Sequence, residues 1–321
     1  MKASAIAHPI QGLIKYHGLA DVERRIPFHD SISVCIDALH TITTVELDGS
    51  LKDDLVIING KGISGKDKGR VAVVLDALKD IAGHPDHLRV MSENNLKEGK
   101  GLGFSASGFA ALGVAASKAL GVEIDDKGLS EVVRLGAGSA TRSLAGRFAI
   151  WYANREGRSY AEQLVTPSGM NMAMVIVPIA SDVRTDEAHA EVLGSPLFEA
   201  RLRIVDEMIE IMKTAIEKGD ISTIGHLAEE DTLNLHAITM TGRSHMILWE
   251  PNTIRIIREV LKMRQAGIQA WFSIDTGPSV FINTLMDQAQ EVTSWLRRAA
   301  CGDPITSKVG DAPKLIDQHL F

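Results

Sequence analysis

The chain has 321 residues, of which 45% are hydrophobic and 23% are charged, a balance typical of a soluble globular protein. Its formal net charge of -7 argues against a nucleic-acid-binding surface, because such a surface needs a basic field. Since the two cysteines form no disulfide framework or metal spacing, and neither a signal peptide nor a membrane-spanning run is recognisable, we expect a cytoplasmic protein without nucleic-acid or membrane partners.

Strands dominate the predicted structure of the first half. Alternating and β-branched patterns predict strands at residues 4–10, 31–37, 41–47, 55–59, 88–92, 148–152 and 161–165. The strands at 31–37 and 41–47 are expected to pair with each other across a short connection. Helical periodicity predicts helices at 71–82, 109–120 and 129–135. The glycine- and lysine-rich residues 60–69 are predicted to form a flexible loop, either solvated or closing over a nucleotide.

Long helices dominate the predicted second half. The patterns predict a buried strand at 172–179, helices at 197–218, 221–240, 252–266 and 285–299, strands at 270–275 and 279–283, and an edge strand at 306–309. The change from strands to helices near residue 170 predicts two domains, residues 1–170 and 171–321.

A small-residue loop at 101–108, Gly-Leu-Gly-Phe-Ser-Ala-Ser-Gly, precedes a predicted helix. Gly101 and Gly103 let the backbone bend, and Ser105 and Ser107 can cap the helix. Such a turn points several unpaired N–H groups at one spot, which the helix dipole makes attractive to a phosphate. The loop lacks both common phosphate fingerprints, so a tight turn before a core helix is the alternative.

Three charged side chains stand out, and each has a structural alternative. Lys15 follows a predicted strand and lies between two glycines, so it either snorkels to the surface or faces a cleft. Arg142 lies in a small-residue stretch and, if buried, needs an anion, either a protein carboxylate or a substrate carboxylate held by the guanidinium fork. Asp275 lies in an Asp-Thr-Gly-Pro turn, where aspartate is an ordinary turn residue.

Four separated segments resemble one family, in order along the chain. Pro-Ile-Gln-Gly-Leu-Ile-Lys-Tyr-His-Gly at 9–18 resembles the N-terminal lysine motif of the mevalonate diphosphate decarboxylases. Residues 101–108 resemble the phosphate loop of the wider GHMP kinase superfamily. The segments Gly-Ser-Ala-Thr-Arg-Ser-Leu at 138–144 and Phe-Ser-Ile-Asp-Thr-Gly-Pro-Ser at 272–279 resemble the decarboxylases' substrate-carboxylate segment and catalytic aspartate motif. Weaker similarity, including residues 230–236, extends the resemblance over nearly the whole chain.

The resemblance implies an α+β protein with the GHMP kinase fold. Its N-terminal, ATP-binding domain is then like domain 2 of ribosomal protein S5, its C-terminal domain is ferredoxin-like, and the active site lies in the cleft between them. The family uses ATP, with Mg²⁺, to phosphorylate a tertiary alcohol and then releases carbon dioxide and phosphate to leave an isopentenyl product. Because dimers are common in the family, we also expect a homodimer.

The resemblance also implies roles for individual residues. Asp275 is expected to contact the substrate's C3 hydroxyl as an orienting group or base, and Lys15 is expected to lower the pKa of Asp275 and bridge it to the transferred phosphate. Arg142 is expected to hold the substrate's C1 carboxylate, with Ser139 and Tyr16 as further substrate-binding residues.

The ATP phosphates are expected at the glycine loop. The residues that the resemblance places there are Gly101, Gly103, Ser105, Ala106, Ser107 and Gly108. No magnesium ligand is recognisable, since Mg²⁺ often keeps most of its waters. Three histidines lie near motifs, His17, His29 and His236, and we expect them to pack or hydrogen-bond rather than act as bases.

Two departures from the family pattern bear on the substrate. Where the diphosphate enzymes usually read Lys-Tyr-Trp-Gly-Lys, this chain has His17 in place of tryptophan and Leu19 in place of the second lysine. Losing a cation opposite a terminal phosphate favours mevalonate 5-phosphate as substrate and isopentenyl phosphate as product, in isoprenoid biosynthesis. The alternatives are mevalonate 5-diphosphate decarboxylation and nucleotide binding without turnover. The related 3-kinases lack the aspartate and the lysine that this chain retains.

Overall fold

A computed structural model describes residues 1–96, 102–180 and 185–321. The strands of the first half are β1 (Lys2–Ala7), β2 (Ile10–Ile14), β3 (Leu19–Asp21), β4 (Ile26–Pro27), β5 (Ser31–Cys35), β6 (Thr41–Leu47), β7 (Leu55–Ile58), β8 (Lys61–Gly62), β9 (Leu88–Asn94), β10 (Phe148–Trp151) and β11 (Ala161–Gln163). The helices of this half are α1 (Gly65–Ala82), α2 (Phe104–Leu120), α3 (Asp126–Gly136) and α4 (Ala140–Ala145).

The second half contains the longer helices. Its helices are α5 (Thr185–Glu191), α6 (Phe198–Lys218), α7 (Ile221–Met240), α8 (Pro251–Gln265) and α9 (Ala289–Arg298), with a 3₁₀ turn at Val192–Gly194. Its strands are β12 (Met172–Val177), β13 (Ala270–Ser273), β14 (Val280–Leu285), β15 (Ile305–Lys308) and β16 (Lys314–Ile316). Among the described helices, none is long and apolar enough to cross a membrane.

The first sheet has the strand order β16–β1–β6–β9–β7–β8 and is covered by α2, which packs on β1 and β6. The alanines Ala110, Ala111 and Ala115 of α2 are fully buried. Their small side chains let the helix lie close to the sheet, where Ala110 and Ala111 pack with Ala7 and Ala115 packs with Val45 and Leu112. This close packing fixes the start of α2 relative to the strands.

A second sheet, β11–β10–β5–β2, and a third, β13–β14–β12–β15, share one hydrophobic core with α6 and α7. On β12, Met174 faces this core, while the neighbouring Val175 faces a separate core under α8 and α9. Every residue of β12 is buried because both faces are covered, which explains the uninterrupted apolar run in the sequence. The shared core brings β2 against α7 and β13.

Most predicted elements are confirmed, with small shifts of their ends. Strands β10 and β11 pair antiparallel, β15 lies at a sheet edge as predicted, and α7 has the predicted bounds. Helix α7 begins where Asp220, at the N-cap, accepts the Thr223 amide through its carboxylate. The division into domains near residue 170 stays a prediction.

Three local predictions are wrong. The segments 31–37 and 41–47 do not pair, because β5 pairs with β2 and β10 while β6 pairs with β1 and β9. The Ile36 amide donates to the Pro9 carbonyl, and the chain then crosses from the second sheet to the first. The segment 4–10 divides at His8 and Pro9 into β1 and β2. Finally, the predicted loop 60–69 ends early, since α1 already begins at Gly65.

Candidate active site

Asp275 lies in the turn after β13, against strand β2. Gly277 closes this turn by donating its amide to the Asp275 carbonyl at 2.9 Å. Each carboxylate oxygen of Asp275 lies 3.2 Å from the Gly12 amide nitrogen. A Cβ on Gly12 would lie 3.0 Å from Asp275 Oδ1 and 2.7 Å from Lys15 Cγ, so glycine leaves the room that the two charged side chains occupy.

The ammonium group of Lys15 is almost completely buried beside this carboxylate. It donates to the hydroxyls of Thr232 and Ser273, each at 3.0 Å, and its side chain is 4% exposed. Burial lowers the pKa of Lys15, against the attraction of the Asp231 and Asp275 carboxylates. Burial likewise raises the pKa of Asp275, against the attraction of Lys15. The Lys15 ammonium and the Asp275 carboxylate therefore stabilise each other's charge in a poorly solvated environment.

A buried ion pair, Asp231 with Arg201, lies behind Lys15. Arg201 Nη2 donates to Asp231 Oδ1 at 2.8 Å, and both side chains are fully buried. Sequence reasoning missed these two residues, because they are 216 and 186 positions from Lys15 and meet it only through tertiary packing. The weak family similarity at residues 230–236 is the one sequence signal that includes Asp231, but it implies no role for that residue.

Arg142, on α4, lies in an aromatic setting. Its guanidinium carbon is 5.2 Å from the ring centre of Tyr16 and 5.6 Å from that of Trp151. The side chain is buried, and Nε and Nη1 have no hydrogen-bond partner among the described residues. Burial lowers the pKa of Arg142 to about 10, so the group stays charged at neutral pH. A buried cation with unpartnered N–H groups favours the substrate-carboxylate alternative over the structural one.

Tyr16 and Ser139 lie on the same side of the site as Arg142. A Cβ on Gly138 would lie 3.3 Å from the Tyr16 hydroxyl and 2.6 Å from the Trp151 ring, so the turn before α4 packs directly on these aromatic groups. Ser139, the next residue, is the N-cap of α4 and is partly exposed. The field of Arg142 also acts on Asp275, where it opposes the rise in pKa.

The start of α2 forms the second part of the site. Gly103 is the N-cap residue at φ 74°, and a Cβ there would lie 2.9 Å from the Ile10 carbonyl oxygen, so the position needs glycine. The predicted capping by serines is wrong: Ser105 is exposed and makes no cap, and Ser107 hydrogen-bonds Thr41 Oγ1 at 2.7 Å. Ala106 is buried against Ile10. Gly101 lies outside the described residues.

A cavity of about 390 Å³ opens beside the first turns of α2. Val71 and Val90 form part of its apolar wall, and Ser105 and Gly108 line it from α2. Lys61, Ile63 and Asp67 also line it, so the segment 60–69, predicted as a loop or flap, borders the cavity. Apolar walls next to a helix N-terminus suit a nucleoside carrying phosphates.

The remaining titratable groups fit a supporting role. His17 hydrogen-bonds Thr239, His29 hydrogen-bonds the Asp30 carbonyl, and His236 approaches the Ile274 carbonyl. Burial lowers the pKa of His29 to about 4 and that of His236 to about 3, so both are neutral at physiological pH. Within the described part of the chain, no group of three histidine, cysteine or acidic side chains is arranged to hold a metal ion.

Comparison with known proteins identifies the family. Residues 7–161 match the family model for the diphosphomevalonate decarboxylase-like N-terminal domain, and residues 184–316 match that for the mevalonate 5-diphosphate decarboxylase C-terminal domain. The chain is 38% identical to the phosphomevalonate decarboxylase of Haloferax volcanii over 304 residues, which cover 94% of this chain and 93% of that protein.

Solved structures agree with this result over almost the full length. Mevalonate diphosphate decarboxylase from Staphylococcus aureus superposes with a TM-score of 0.92 at 29% identity, covering 98% of both chains. A structure of MDDEF in complex with MVAPP, AMPPCP and magnesium gives a TM-score of 0.92 at 28% identity, covering 99% of both chains. The predicted two-domain fold class is confirmed. The chain belongs to the mevalonate diphosphate decarboxylase family of the GHMP kinase superfamily.

Proposed function

We propose that the protein catalyses the ATP-dependent decarboxylation of mevalonate 5-phosphate, giving isopentenyl phosphate, ADP, phosphate and carbon dioxide. The observation that carries this proposal is the grouping of a carboxylate, an ammonium and a guanidinium with unpartnered N–H groups, on Asp275, Lys15 and Arg142, in one electrostatically coupled centre. The relative of the same named activity in Haloferax volcanii supports it.

The chemistry needs a leaving group at C3 of the substrate. The C3 oxygen attacks the γ-phosphorus of ATP, ADP leaves, and the C3 hydroxyl proton passes to a base. The C3–O bond then breaks and phosphate leaves with its electron pair. The C1–C2 bonding electrons form the C2=C3 double bond, and C1 leaves as carbon dioxide. Positive charge that develops at C3 would be stabilised by a nearby anion.

Asp275 would serve both needs. It would orient the C3 hydroxyl or accept its proton, and its negative charge would stabilise a cationic C3. A pKa raised by burial makes the carboxylate a better base than an exposed aspartate, while the charge of Lys15 opposes that rise and favours the ionised form. Lys15 would also contact the transferred phosphoryl group, whose negative charge grows as the C3–O bond breaks.

Arg142 would hold the substrate's C1 carboxylate through its unpartnered N–H groups. The rings of Tyr16 and Trp151 pack near the guanidinium group and would limit its movement, so the carboxylate would be held in one orientation until it leaves as carbon dioxide. Ser139 would add a hydroxyl on the same side, and Tyr16 a phenol.

ATP would occupy the cavity beside α2, with its phosphates at the helix N-terminus. Gly103 and Ser105 would contribute backbone N–H groups to the phosphates. The Ala106 amide already donates to the Gly103 carbonyl, and the Ser107 hydroxyl is bonded to Thr41, so Ala106, Ser107 and Gly108 would act by shaping the helix start. Mg²⁺ bound with ATP would neutralise part of the phosphate charge, with water completing its coordination.

The choice of the monophosphate rests on Leu19. This residue lies on β3 as a partly exposed apolar side chain, at the position where the diphosphate enzymes carry a lysine. Mevalonate 5-diphosphate is the second candidate substrate, because the Staphylococcus aureus structural relative is named for it. A nucleotide-binding protein without turnover is the third possibility.

The deciding experiment uses the purified full-length protein with ATP, Mg²⁺ and each mevalonate form in turn. We expect carbon dioxide and isopentenyl phosphate from mevalonate 5-phosphate. Carbon dioxide from the diphosphate alone would overturn the substrate assignment. ADP without carbon dioxide would indicate a kinase, and ATP binding without any product would favour the non-catalytic protein.

We also propose a cytoplasmic homodimer, as the family resemblance suggests. Sedimentation equilibrium over a range of protein concentrations tests the assembly, and a monomer mass throughout would refute it.

A further inference from the structure

The Asp231–Arg201 ion pair hydrogen-bonds the main chain of Lys15 at both its amide and its carbonyl group. The Lys15 amide donates to Asp231 Oδ2 at 2.9 Å, and Arg201 Nη2 donates to the Lys15 carbonyl as well as to Asp231 Oδ1. The residue that follows strand β2 is thereby bound to helices α6 and α7 through charged groups, and it is the residue that carries the site's ammonium. An ion pair that only stabilised the packing of the helices would not need to bind both the amide and the carbonyl group of Lys15.

The same pair acts on the Lys15 side chain mainly through the charge of Asp231, and only weakly through a hydrogen bond. Lys15 Nζ lies 3.6 Å from Asp231 Oδ2, close enough for strong attraction but too long for a good hydrogen bond. An ammonium has three N–H donors, and two of them point to Thr232 and Ser273. The third has only the long contact with Asp231 among these groups, so it is the donor that Asp275 or the phosphoryl group would take.

We propose that Asp231, held in place by Arg201, is a positioning residue that keeps Lys15 cationic and directs its third N–H into the active site. Asp231 is fully buried and both of its oxygens are engaged, so it acts through Lys15 and does not touch substrate. The expected effect of Asp231 on the decarboxylation rate rests on the proposed function, whereas its effect on the charge of Lys15 does not.

The surroundings of Lys15 favour this assignment. The charged and titratable groups that act on it are Asp231 from α7, Asp275 from the turn after β13, Arg201 from α6 and His236 from α7. Asp231 attracts the ammonium more strongly than Asp275 does, and Arg201 opposes it by a smaller amount. Removing the Asp231 charge should therefore lower the pKa of Lys15, which burial already depresses.

The test compares Asp231→Asn with a matched control, Glu229→Gln. Glu229 lies on the same helix, but its carboxylate pairs with Arg264 at 2.6 Å and accepts the Phe272 amide, so it is engaged away from Lys15. A second variant, Asp231→Asn with Arg201→Gln, removes both buried charges and avoids leaving an unpaired arginine, which is the destabilising case. It should fold even where the single variant does not.

The main readout is the charge of Lys15, followed by NMR of protein labelled at the lysine ε-carbons. The Lys15 signal is assigned by its loss in Lys15→Met. We expect Lys15 to titrate at least about one pH unit lower in Asp231→Asn and in the double variant than in the wild type or Glu229→Gln. An unmoved titration in the folded variants, or a neutral Lys15 at pH 7.5 in the wild type, would overturn the proposal.

The second readout is the pH profile of kcat/KM for decarboxylation. Because Lys15 works as a cation, the alkaline limb should shift to lower pH in Asp231→Asn and stay in place in Glu229→Gln. A lower rate with an unmoved limb would indicate a merely structural role. If the wild type binds ATP but decarboxylates nothing while the NMR shift is observed, the proposed function fails and the positioning role stands.

Discussion

Both carboxylate oxygens of Asp275 lie 3.2 Å from the amide nitrogen of Gly12, although the two residues are 263 positions apart in the chain. One backbone N–H thus faces the middle of the carboxylate, stabilises its charge and leaves its outer edges open. The contact joins the turn after β13 to strand β2, so the position of the carboxylate depends on the packing of the two halves of the chain.

The first prediction concerns Asp275→Asn. The amide keeps the size of the carboxylate but cannot accept the C3 hydroxyl proton or stabilise a cationic C3. We expect product formation to fall by about 10³-fold or more, with nucleotide affinity within about twofold of the wild type. Carbon dioxide release and fluorescent-nucleotide titration measure the two effects. A variant that still decarboxylates at the wild-type rate would remove Asp275 from the mechanism.

The second prediction concerns Gly12→Ala. The added methyl would meet Lys15 Cγ and Asp275 Oδ1 at contact distances too short to keep, so both side chains must shift. A displacement near 1 Å costs about 100-fold in kcat, and we expect a loss of that size. Gly49→Ala is the control, because a Cβ there meets nothing within 4 Å. Wild-type kcat in folded Gly12→Ala would contradict the assigned geometry.

The sequence predicts elements well where local chemistry decides them. Helix α7 begins at its own aspartate cap, and β12 is recognisable because an apolar run bounded by turns is typical of a strand covered on both faces. The pairing of β5 with β2 and β10 could not be predicted, since strand patterns carry no information about the partner. Strand β16 was missed because three residues at a sheet edge have no periodicity.

The residues of the site also fall into those that the sequence could predict and those that it could not. Lys15, Arg142 and Asp275 were predicted through motif resemblance, whereas residue type alone left each with a structural alternative. Asp231 and Arg201 could not be predicted, because a charged residue on an amphipathic helix is normally solvated and their burial results from tertiary packing. The exposure of Ser105, against the burial of Ser107, likewise depends on how α2 lies on the first sheet.

The third prediction concerns Arg142→Met. Since two nitrogens of this buried cation lack partners, removing the charge should raise the free energy of unfolding of the ligand-free protein by about 1–3 kcal/mol. The same change should lower kcat/KM by at least about 100-fold, because the substrate carboxylate loses its partner. Urea unfolding and steady-state kinetics measure both quantities.

Arg134→Met is the matched control for Arg142→Met. Arg134 is also buried, but it donates to the Arg24 and Ser159 carbonyls, so its replacement should lower the free energy of unfolding. Destabilisation by Arg142→Met of the same size as that by Arg134→Met would indicate that Arg142 serves structure instead of substrate.

The fourth prediction concerns Leu19→Lys. A lysine here restores the cation that the diphosphate enzymes carry, and one charge-assisted hydrogen bond contributes about 1.5–3 kcal/mol. We expect the ratio of kcat/KM for mevalonate 5-diphosphate to that for the monophosphate to rise by about 10-fold or more. Val22→Lys, on an exposed residue between β3 and β4, controls for the added charge. An equal change of the ratio in both variants would contradict the role of residue 19.

The fifth prediction is a loss of stability in mild acid that originates in the buried histidines. Burial lowers the pKa of His29 to about 4 and that of His236 to about 3, and it also lowers the pKa of His17. In the unfolded chain these histidines become protonated near pH 6.5, whereas in the folded protein they stay neutral until the pH is lower. Stability is therefore fully present above pH 6.5 and is lost as the pH falls towards 4.

Each fully shifted histidine contributes a slope of about 1.4 kcal/mol per pH unit in this range. Urea unfolding at pH 7.5, 6.0 and 5.0 measures the slope, and His29→Asn should reduce it by about one histidine's share. If the free energy of unfolding were constant from pH 7.5 to 5.0, the buried histidines would have to be protonated in the folded protein, where the ammonium of Lys15 and the guanidinium of Arg201 already oppose further positive charge.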